Sequence, residues 1–308
     1  MCVDRSAGGD RYHPQDAQRR CAALQRTPEL MRATHEGAAT RERFVESPSN
    51  PRVKSLVALR SRRERESSGT FVVEGRDELI MAMESGARVI QLYYCAQLVD
   101  MDRRGDVLDR VRSPQVEVVQ LSKEAFGKAS YRQGPDGWLA VVGGVGTSLD
   151  SLALRPDPLI LVGERVEKPG NLGALLRTAD ATGVDAVVAA DPVTDWGNPN
   201  VVRASKGALF SVPVVAAASR DVIRWLDNRR IGIVAATPEG GVPFTDCDFD
   251  RPTAIVVGSE SSGLGGQWLA AAQVRARLPM FGRVDSLNVS VSAAVLLYEA
   301  LRQRRRLG

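Results

Sequence analysis

Three polar stretches in the second half of the chain contain side chains that could bind and act on a small polar ligand. The first is Gly163–Thr178, with the sequence GERVEKPGNLGALLRT, in which Asn171 and Arg177 lie six residues apart. Six residues make about two turns of a helix. An arginine there could hold a phosphate or a ribose hydroxyl, because a guanidinium presents five N–H donors. The alternative is a surface arginine on a helix that Asn171 caps.

The second stretch, Val257–Leu264, has the sequence VGSESSGL and directly follows an apolar segment. Gly258 and Gly263 have the spacing of a Walker A loop, but Leu264 stands where that loop requires lysine, so a Walker A site is excluded. A strand, a glycine-rich loop and a helix can still hold a nucleotide. Glu260 disfavours a phosphate there and favours a ligand with hydroxyl or ammonium donors.

The third stretch, Leu278–Glu299, joins a non-periodic half to a periodic one. Residues 278–287 contain a proline and a glycine and predict a loop. The second half predicts an amphipathic helix, for which Ser286 or Asn288 could be the N-cap. The apolar residues at helical spacing are Val291, Ala294, Val295, Tyr298 and Leu301. A C-terminal packing helix behind an ordinary loop is the alternative.

The elements predicted for residues 157–308 place the stretches next to strands. Strands are predicted at 159–162, 184–190, 212–215, 232–236 and 254–257, and helices at 171–181, 200–209, 219–228, 265–272 and 288–304. This alternation predicts an α/β fold with a parallel sheet, whose ligands bind at the carboxyl ends of the strands.

Residues 46–145 predict a smaller α/β sandwich with a mostly parallel sheet. Its strands are predicted at 71–74, 89–95, 116–120 and 139–142, and its helices at 50–59, 77–84 and 107–112. Residues 146–156 lie in a stretch rich in Gly, Ser and Pro and predict a linker. Residues 1–45 are polar and predict a disordered or weakly helical extension.

Composition describes an ordinary globular chain with a basic bias. Its 308 residues suffice for two domains, and 44% of them are hydrophobic. Only five of the 41 basic residues are lysines, so arginine, which binds phosphate through two parallel hydrogen bonds, dominates. A net charge of +4 and a pI of about 9.0 are compatible with a polyanionic partner, although a GC-rich genome would also enrich arginine.

The first predicted helix is followed by a cluster of arginines. They are Arg60, Arg62, Arg63 and Arg65. Such a cluster could bind the phosphates of RNA, which predicts an affinity that falls steeply with salt. A solvated helix face is the alternative.

Several classes of protein are disfavoured. No run of about 18 apolar residues indicates a membrane span, and the N-terminus lacks an apolar signal segment, so a cytoplasmic protein is expected. The four cysteines form no CxxC pair, and both histidines, His13 and His35, lie in the N-terminal tail. A metal site and histidine-based catalysis are therefore not expected. No GxGxxG follows a strand, so a dinucleotide-dependent oxidoreductase is poorly supported.

Taken together, the three stretches resemble the three sequence motifs of the SpoU/TrmH branch of the SPOUT methyltransferases, in matching order and spacing. The matching motifs are PGNLGxxxRT, GSExxGL and LPM…DSLNVSVS. The resemblance covers residues 157–308. Residues 50–145 resemble the small RNA-binding domain, similar to ribosomal protein L30e, that often precedes it, whereas residues 1–45 lie outside the resemblance.

This resemblance implies a methyltransferase domain with a deep C-terminal trefoil knot, whose loops bind S-adenosylmethionine, and a homodimer with the active site at or near its interface. The reaction implied is transfer of a methyl group to a ribose 2′-hydroxyl in RNA. The residues implied for cofactor binding are Thr237, Gly258, Leu278, Met280 and Leu287. The residues implied for catalysis are Asn171, Arg177, Glu260, Ser286 and Asn288.

Family accounts give the position of Arg177 the role of general base, but a guanidinium stays protonated in proteins. We expect instead that Arg177 makes the 2′-hydroxyl more acidic and fixes the ribose through an adjacent phosphate. Asn171 and Asn288 would orient Arg177 and the ribose. Glu260 would hold Arg177 or the amino group of the cofactor.

Ribosomal RNA is the expected substrate, because the separate N-terminal domain is common among the ribosomal members of the family. A transfer RNA target is the alternative. Self-resistance to a ribosome-targeting antibiotic is a further hypothesis, since an arginine-rich chain could come from an antibiotic-producing actinobacterium. A non-catalytic RNA-binding or ribosome-assembly protein is the alternative outside enzymes, and the intact set of polar motif residues speaks against it.

Overall fold

Two β-sheets of unequal size organise the protein, whose computed structural model describes residues 43–111, 116–239 and 241–304. No helix within these ranges is long and apolar enough to cross a membrane. Nearly all of the predicted extension lies outside the described residues. Its end, Arg43–Val45, is a strand, contrary to the prediction, because the buried Val45 gives it an apolar anchor in the smaller sheet.

The smaller sheet has five strands in the order β1-β4-β3-β5-β2. Its strands are β1 (Arg43–Val45), β2 (Thr70–Glu74), β3 (Val89–Tyr94), β4 (Glu117–Leu121) and β5 (Trp138–Gly143). Its helices are α1 (Pro51–Ala58), α2 (Arg62–Ser68), α3 (Arg76–Glu84), α4 (Arg104–Leu108) and α5 (Lys123–Ala129), with a 3₁₀ turn at Met101–Arg103.

The prediction of a mostly parallel smaller sheet is wrong. The pairs β1–β4 and β3–β4 are parallel, but β5 runs antiparallel to both of its neighbours, β2 and β3. A loop at 130–137 reverses the chain after α5, so β5 enters the sheet from the opposite end.

The larger sheet has seven strands, all parallel, in the order β10-β12-β9-β11-β6-β7-β8. Its strands are β6 (Leu159–Glu164), β7 (Ala186–Ala190), β8 (Val214–Ala217), β9 (Gly232–Ala236), β10 (Val242–Pro243), β11 (Thr253–Val257) and β12 (Val274–Arg277). Its helices are α6 (Pro169–Thr182), α7 (Pro199–Ser205), α8 (Ala208–Ser211), α9 (Ser219–Asn228), α10 (Gly266–Ala271) and α11 (Val289–Arg304), with 3₁₀ turns at Leu149–Ser151 and Phe244–Asp246. The parallel sheet predicted for this half of the chain is confirmed.

The helix predicted at 200–209 is two helices, α7 and α8. Lys206 and Gly207 separate them, and both have positive φ, at 52° and 89°. The φ of 89° at Gly207 strains any residue with a side chain, and a Cβ atom there would also meet the side chain of Met81 in the smaller sheet's α3. The break therefore lets the two halves of the protein approach closely.

Helix α11 buries a different face from the predicted one. The buried apolar residues are Val289, Ala293, Leu296, Leu297 and Ala300. In the predicted stripe, Val291 and Tyr298 are 46% and 54% exposed, and Ala294, Val295 and Leu301 are half-buried. Both faces are apolar, so the spacing alone could not select the one that packs on the core.

The two sheets share one hydrophobic core. Phe71 of β2 stacks on Phe210 of α8, with ring centroids 6.2 Å apart, and both belong to the same buried cluster as Leu161 of β6. The segment between the sheets packs onto the larger one, because the N–H of Thr147 donates to the Val214 carbonyl at 3.0 Å. The two parts of the described chain are thus joined by apolar packing as well as by the backbone.

Candidate active site

Apart from Arg177, the residues predicted for catalysis and cofactor binding lie on or beside the segments that follow four neighbouring strands, β12, β9, β11 and β6. These strands are parallel and adjacent, so their carboxyl ends meet at one edge of the sheet. The segments at this edge are residues 278–288 after β12, 237–239 and 241 after β9, 258–265 after β11 and 165–168 after β6. This edge is the candidate active site.

Asn171 and Asn288 are brought into contact there. Helix α6 begins at Pro169 with Lys168 as its N-cap, so Asn171 lies inside the first turn and does not cap it, contrary to the prediction. Its Oδ1 accepts a hydrogen bond from Asn288 Nδ2 at 3.2 Å. Asn288 Oδ1 in turn accepts from the Ser290 N–H at 3.0 Å and caps α11, as predicted.

The amide nitrogen of Asn171, Nδ2, is the unpaired half of this side chain. It is buried and has no hydrogen-bond partner anywhere in the described ranges. An unpaired buried donor costs free energy, so we expect a water molecule, the cofactor or the substrate to accept from this group. The contact with Asn288 fixes the amide plane and directs this donor.

Three side chains at the end of β6 and in the segment after it hold the 258–265 loop. The buried Glu164 accepts from the Gly265 N–H at 2.6 Å, and Glu167 accepts from the Ser261 hydroxyl at 2.6 Å. Lys168 Nζ lies 3.7 Å from a carboxylate oxygen of Glu260. Glu260 therefore pairs with Lys168 and not with Arg177.

Sequence reasoning did not single out Glu164, Glu167 or Lys168 as functional residues. Glu164 did carry a signal, because it is a carboxylate at the end of a strand whose six residues are all buried. Their contacts are made to residues more than 90 positions away along the chain, and spacing does not reveal such partners.

The 258–265 loop folds tightly back on itself. Ser259 and Gly263 form an isolated antiparallel bridge, and Gly263 has a φ of 64°. A Cβ atom at Gly258 would lie 2.3 Å from the carbonyl carbon of Gly263 and 2.5 Å from the Leu264 nitrogen. Glycine at 258 is thus required for the backbone to make this close approach.

The segment after β12 has a largely unpaired backbone. The N–H and C=O groups of residues 278–287 form no hydrogen bond with any described residue. Leu278 packs against the core, Met280 is half-buried and Leu287 is exposed. Ser286 is exposed, and its hydroxyl lies 3.5 Å from Asp285 Oδ1.

Thr237 follows β9 at the same edge. Its N–H donates to the Ala276 carbonyl at 3.0 Å, and its hydroxyl accepts from the Glu239 N–H at 3.2 Å. These bonds fix the turn after β9 beside the start of the unpaired segment.

Arg177 stands apart from the other predicted catalytic residues. It is exposed, and its guanidinium makes no hydrogen bond or ion pair among residues 43–111, 116–239 and 241–304. Six residues separate it from Asn171, so it lies about 9 Å further along α6 and leaves the helix in a direction about 120° away. No hydrogen bond joins the guanidinium of Arg177 to Asn171 within the described residues.

The predicted RNA-binding arginines are mostly engaged within the protein. Arg65 is only 6% exposed, and two of its nitrogens donate to the carboxylate of Asp195 at 2.8 and 2.6 Å. Arg65 is thus a buried connection to the larger sheet. The prediction that it belongs to an exposed RNA-binding patch is wrong. Arg62 pairs with Glu66, Arg60 binds backbone carbonyls of α5 and its following residue, and Arg63 is exposed.

Asp191 follows β7 at the carboxyl edge and fixes the start of α9. Hydrogen bonds from the hydroxyl and the N–H of Ser219, together with the nearby Arg165 and Arg220, hold the pKa of Asp191 below its ordinary value. The ionised carboxylate therefore stays in place near neutral pH.

The chemistry of this edge fits the expected S-adenosylmethionine. The unpaired backbone of 278–287 offers donors and acceptors, Asn171 offers a buried donor, and the 258–265 loop lies at the same edge of the sheet. Such a set suits a polar adenosyl group held mainly by main-chain atoms.

Comparison with known proteins identifies relatives of both halves. The model of the SpoU rRNA Methylase family matches residues 158–298, and that of the MRM3-like substrate binding domain matches residues 50–140. The chain is 32% identical over 278 residues to a 23S rRNA (uridine(2479)-2′-O)-methyltransferase of Streptomyces viridochromogenes, covering 86% of this chain and 96% of that protein.

Solved structures agree with this assignment. The SpoU methyltransferase AviRb of Streptomyces viridochromogenes in complex with AdoMet has a TM-score of 0.77 and 32% identity, over 83% of this chain and 98% of that one. An AdoMet-bound rRNA methyltransferase of Sinorhizobium meliloti has a TM-score of 0.79 and 28% identity, over 86% of this chain and 98% of that one. This protein therefore belongs to the SpoU rRNA methylase family.

Proposed function

We propose that this protein methylates a ribose 2′-hydroxyl of ribosomal RNA with S-adenosylmethionine as the methyl donor. The observation that carries the proposal is the meeting of the three motif stretches at the carboxyl edge of β12, β9, β11 and β6. Two relatives that align with this chain over almost their whole length are named as 23S rRNA 2′-O-methyltransferases. A ribosomal substrate also supports a cytoplasmic location.

The residues proposed to hold the cofactor act mainly through their backbone. They are Thr237, Gly258, Leu278, Met280 and Leu287. When bound, the cofactor supplies an electrophilic methyl group on a sulfonium. Glu164 and Lys168 act as positioning residues, because they keep the 258–265 loop closed against the segment after β6.

The 2′-hydroxyl needs to be polarised before it can attack a methyl group. We assign this role to Arg177, whose charge stabilises the alkoxide that develops as the hydroxyl proton passes to solvent water, and which binds an adjacent phosphate. Asn171 presents its buried Nδ2–H to the ribose or the cofactor, and Asn288 orients it. Ser286 lies in the unpaired segment and is proposed to contact the substrate.

A homodimer is proposed to complete the site. Helix α11 is apolar on two opposite faces, and a helix that is apolar all round is normally buried. The outer face continues the exposed apolar residues of the preceding segment, among them Phe281, which is 98% exposed. A second copy seated on this surface would cover it and could bring its own residues to the exposed Arg177.

Light scattering on a sizing column tests the dimer. Tyr298→Glu places a charge in the middle of the outer face of α11 and is expected to give monomers, whereas Phe44→Glu, on the distant edge strand β1, leaves the mass unchanged. Wild-type protein eluting as a monomer would remove this part of the proposal.

The trefoil knot and the L30e-like domain are further parts of the proposal. The insertion of β11 between β9 and β6, and the packing of α11 on both β11 and α6, support a knotted C-terminus. The guanidinium of Arg304 donates to the carbonyls of Asp157 and Phe249, at 2.8 Å each, which fastens the end of α11 to the start of this domain. The proposed domains are 46–145 and 157–308, with 146–156 as the linker.

Methyl incorporation tests the function. Purified ribosomal RNA and transfer RNA are each incubated with radiolabelled S-adenosylmethionine and wild type, Arg177→Ala or the control Arg224→Ala, an exposed arginine on α9. We expect label in ribosomal RNA only, lost by orders of magnitude in Arg177→Ala with unchanged cofactor affinity. Equal losses of affinity and turnover would contradict the role of Arg177.

The resistance hypothesis is tested by growth of a sensitive host under ribosome-targeting drugs.

A further inference from the structure

Tyr131 lies between the two sheets at the protein surface. Its side chain is 43% exposed, yet it is fixed from three directions. Its N–H donates to Glu74 at 2.9 Å, its hydroxyl accepts from Asn200 Nδ2 at 3.1 Å, and the guanidinium of Arg60 lies 5.8 Å from its ring centroid. An exposed aromatic ring is therefore held in one orientation before any ligand binds.

Arg60 is fixed as well. Its Nη2 donates to the carbonyls of Lys128, Ala129 and Ser130 at 3.0, 3.2 and 2.7 Å, at the carboxyl end of α5. In the part of the chain that the structure describes, its Nε and Nη1 make no hydrogen bond. The ring of Tyr131 and the remaining donors of Arg60 thus form one preorganised surface, which would lose little conformational entropy on binding.

This surface lies next to the candidate active site. Asn200 belongs to the first turn of α7, which starts from the carboxyl edge of the larger sheet. Helix α7 packs closely on α6, since a Cβ atom at Gly173 would lie 2.5 Å from that of Ala204. Gly173 is two residues after Asn171. Tyr131 is thus linked through Asn200 and helix α7 to the N-terminal part of α6, which contains Asn171.

The cleft beside Tyr131 contains two arginines, Arg132 and Arg203, and one carboxylate, Glu74, which accepts hydrogen bonds from the N–H groups of Tyr131 and Arg132. Arg203 of α7 lines the same small cleft as Tyr131, is exposed, and is paired with no described residue. Proteins that bind single-stranded RNA combine such cations, which contact phosphates, with aromatic rings on which bases stack.

We propose that Tyr131, backed by Arg60, is a stacking platform for an unpaired base of the substrate RNA close to the methylated nucleotide. This inference rests on the proposed function, since it assigns a position to the same substrate. The backbone bond to Glu74, the hydroxyl bond to Asn200 and the contact with Arg60 together hold the ring, and the ring face provides the binding energy.

Two substitutions separate stacking from a structural role. Tyr131→Leu removes the aromatic face, whereas Tyr131→Phe keeps it and removes only the bond to Asn200. Phe44→Leu is the matched control, because Phe44 is also an exposed aromatic residue but lies on the opposite edge strand of the smaller sheet. The readouts are the KM for purified ribosomal RNA, the affinity for S-adenosylmethionine and the melting temperature.

We expect Tyr131→Leu to raise the KM for ribosomal RNA by about 5- to 100-fold, as is typical of a lost base stack, with cofactor affinity and melting temperature unchanged. Tyr131→Phe and Phe44→Leu should stay within about twofold of wild type, because they keep the ring of Tyr131. An unchanged KM in Tyr131→Leu, or equal losses in the Leu and Phe variants, would overturn the platform. Wild type that methylates no RNA would instead contradict the proposed function.

Discussion

Replacing Gly258 with alanine tests whether the tight loop after β11 shapes the cofactor site. The added methyl group would lie 2.3 Å from the carbonyl carbon of Gly263 and 2.5 Å from the nitrogen of Leu264. Both are backbone atoms, so no side-chain rotation can relieve the clash. Since ordinary contact begins at 3.4 Å, the loop has to open by about 1 Å.

Opening the loop raises the free energy of its closed form. Forcing a methyl group into a packed site costs about 1–3 kcal/mol. The open loop also draws Gly265 away from Glu164 and Glu260 away from Lys168. If the closed loop is the form that binds the cofactor, the same free energy lowers the affinity for S-adenosylmethionine by about 5- to 150-fold. Half of the loop, residues 260–263, is exposed, so the global melting temperature should change little.

Titration calorimetry with S-adenosylmethionine measures the effect. Gly266→Ala is the matched control, because a Cβ atom at Gly266 meets no atom within 4 Å, and it should bind the cofactor like wild type. Wild-type affinity in Gly258→Ala would refute the reasoning that this loop has to stay closed. A collapse of the melting temperature in Gly258→Ala would show instead that the strain is not confined to the loop.

Three further predictions concern stability and the site. Arg65→Met leaves Asp195 without its buried partner, so the free energy of unfolding in urea should fall by about 3 kcal/mol; a loss below about 1 kcal/mol would contradict this. Burial, followed by Asp246 and Glu299, raises the pKa of the Cys247 thiol to about 11. Above the usual thiol pKa of about 8.5 the unfolded chain releases a proton that the folded chain keeps, so stability falls as the pH rises towards about 11. In Cys247→Ala, stability should fall less between about pH 8.5 and pH 11 than in wild type. Identical profiles of stability against pH for the two proteins would rule the effect out. Glu164→Ala removes the acceptor of the Gly265 N–H and should weaken cofactor binding by about tenfold, while Glu167→Ala, at an exposed contact, changes it less; equal effects in calorimetry would argue against a special role of Glu164.

The strands of the larger sheet that the sequence predicts best are the fully buried ones. All residues of β6, β7 and β11 are buried, so each appears as a continuous apolar run. Strand β12 has the sequence VRAR with only Ala276 buried, and β10 has two residues. Neither forms a recognisable run, because each lies towards the edge of the sheet, and both were missed.

Helix α2 could not be predicted for a different reason. Its sequence, RRERESS, contains no apolar residue. The residue it buries is Arg65, and the partner Asp195 lies 130 positions further along the chain. A cluster of arginines in a sequence indicates a charged surface, whereas here one of them forms a buried connection between the two sheets.

At the site, the motifs located the residues but not their partners. The contact between Asn171 and Asn288 joins stretches 117 positions apart, and the pairing of Glu260 with Lys168 was not foreseen. The sequence does not predict which face of α11 is buried, because both faces are apolar. Which face is covered by the core depends on α6 and β11, and periodicity contains no information about them.

The core shared by the two sheets limits how far the distance between the smaller sheet and the candidate active site can change. Phe71 and Phe210 stack within that core, which ties the smaller sheet to the sheet next to Asn171. Under the proposed function, an RNA anchored on the smaller sheet would present to Asn171 the ribose at a set distance along the strand. An RNA with one nucleotide added between the anchor and the target would then be methylated at the neighbouring nucleotide, because the enzyme measures position without having to recognise the target base.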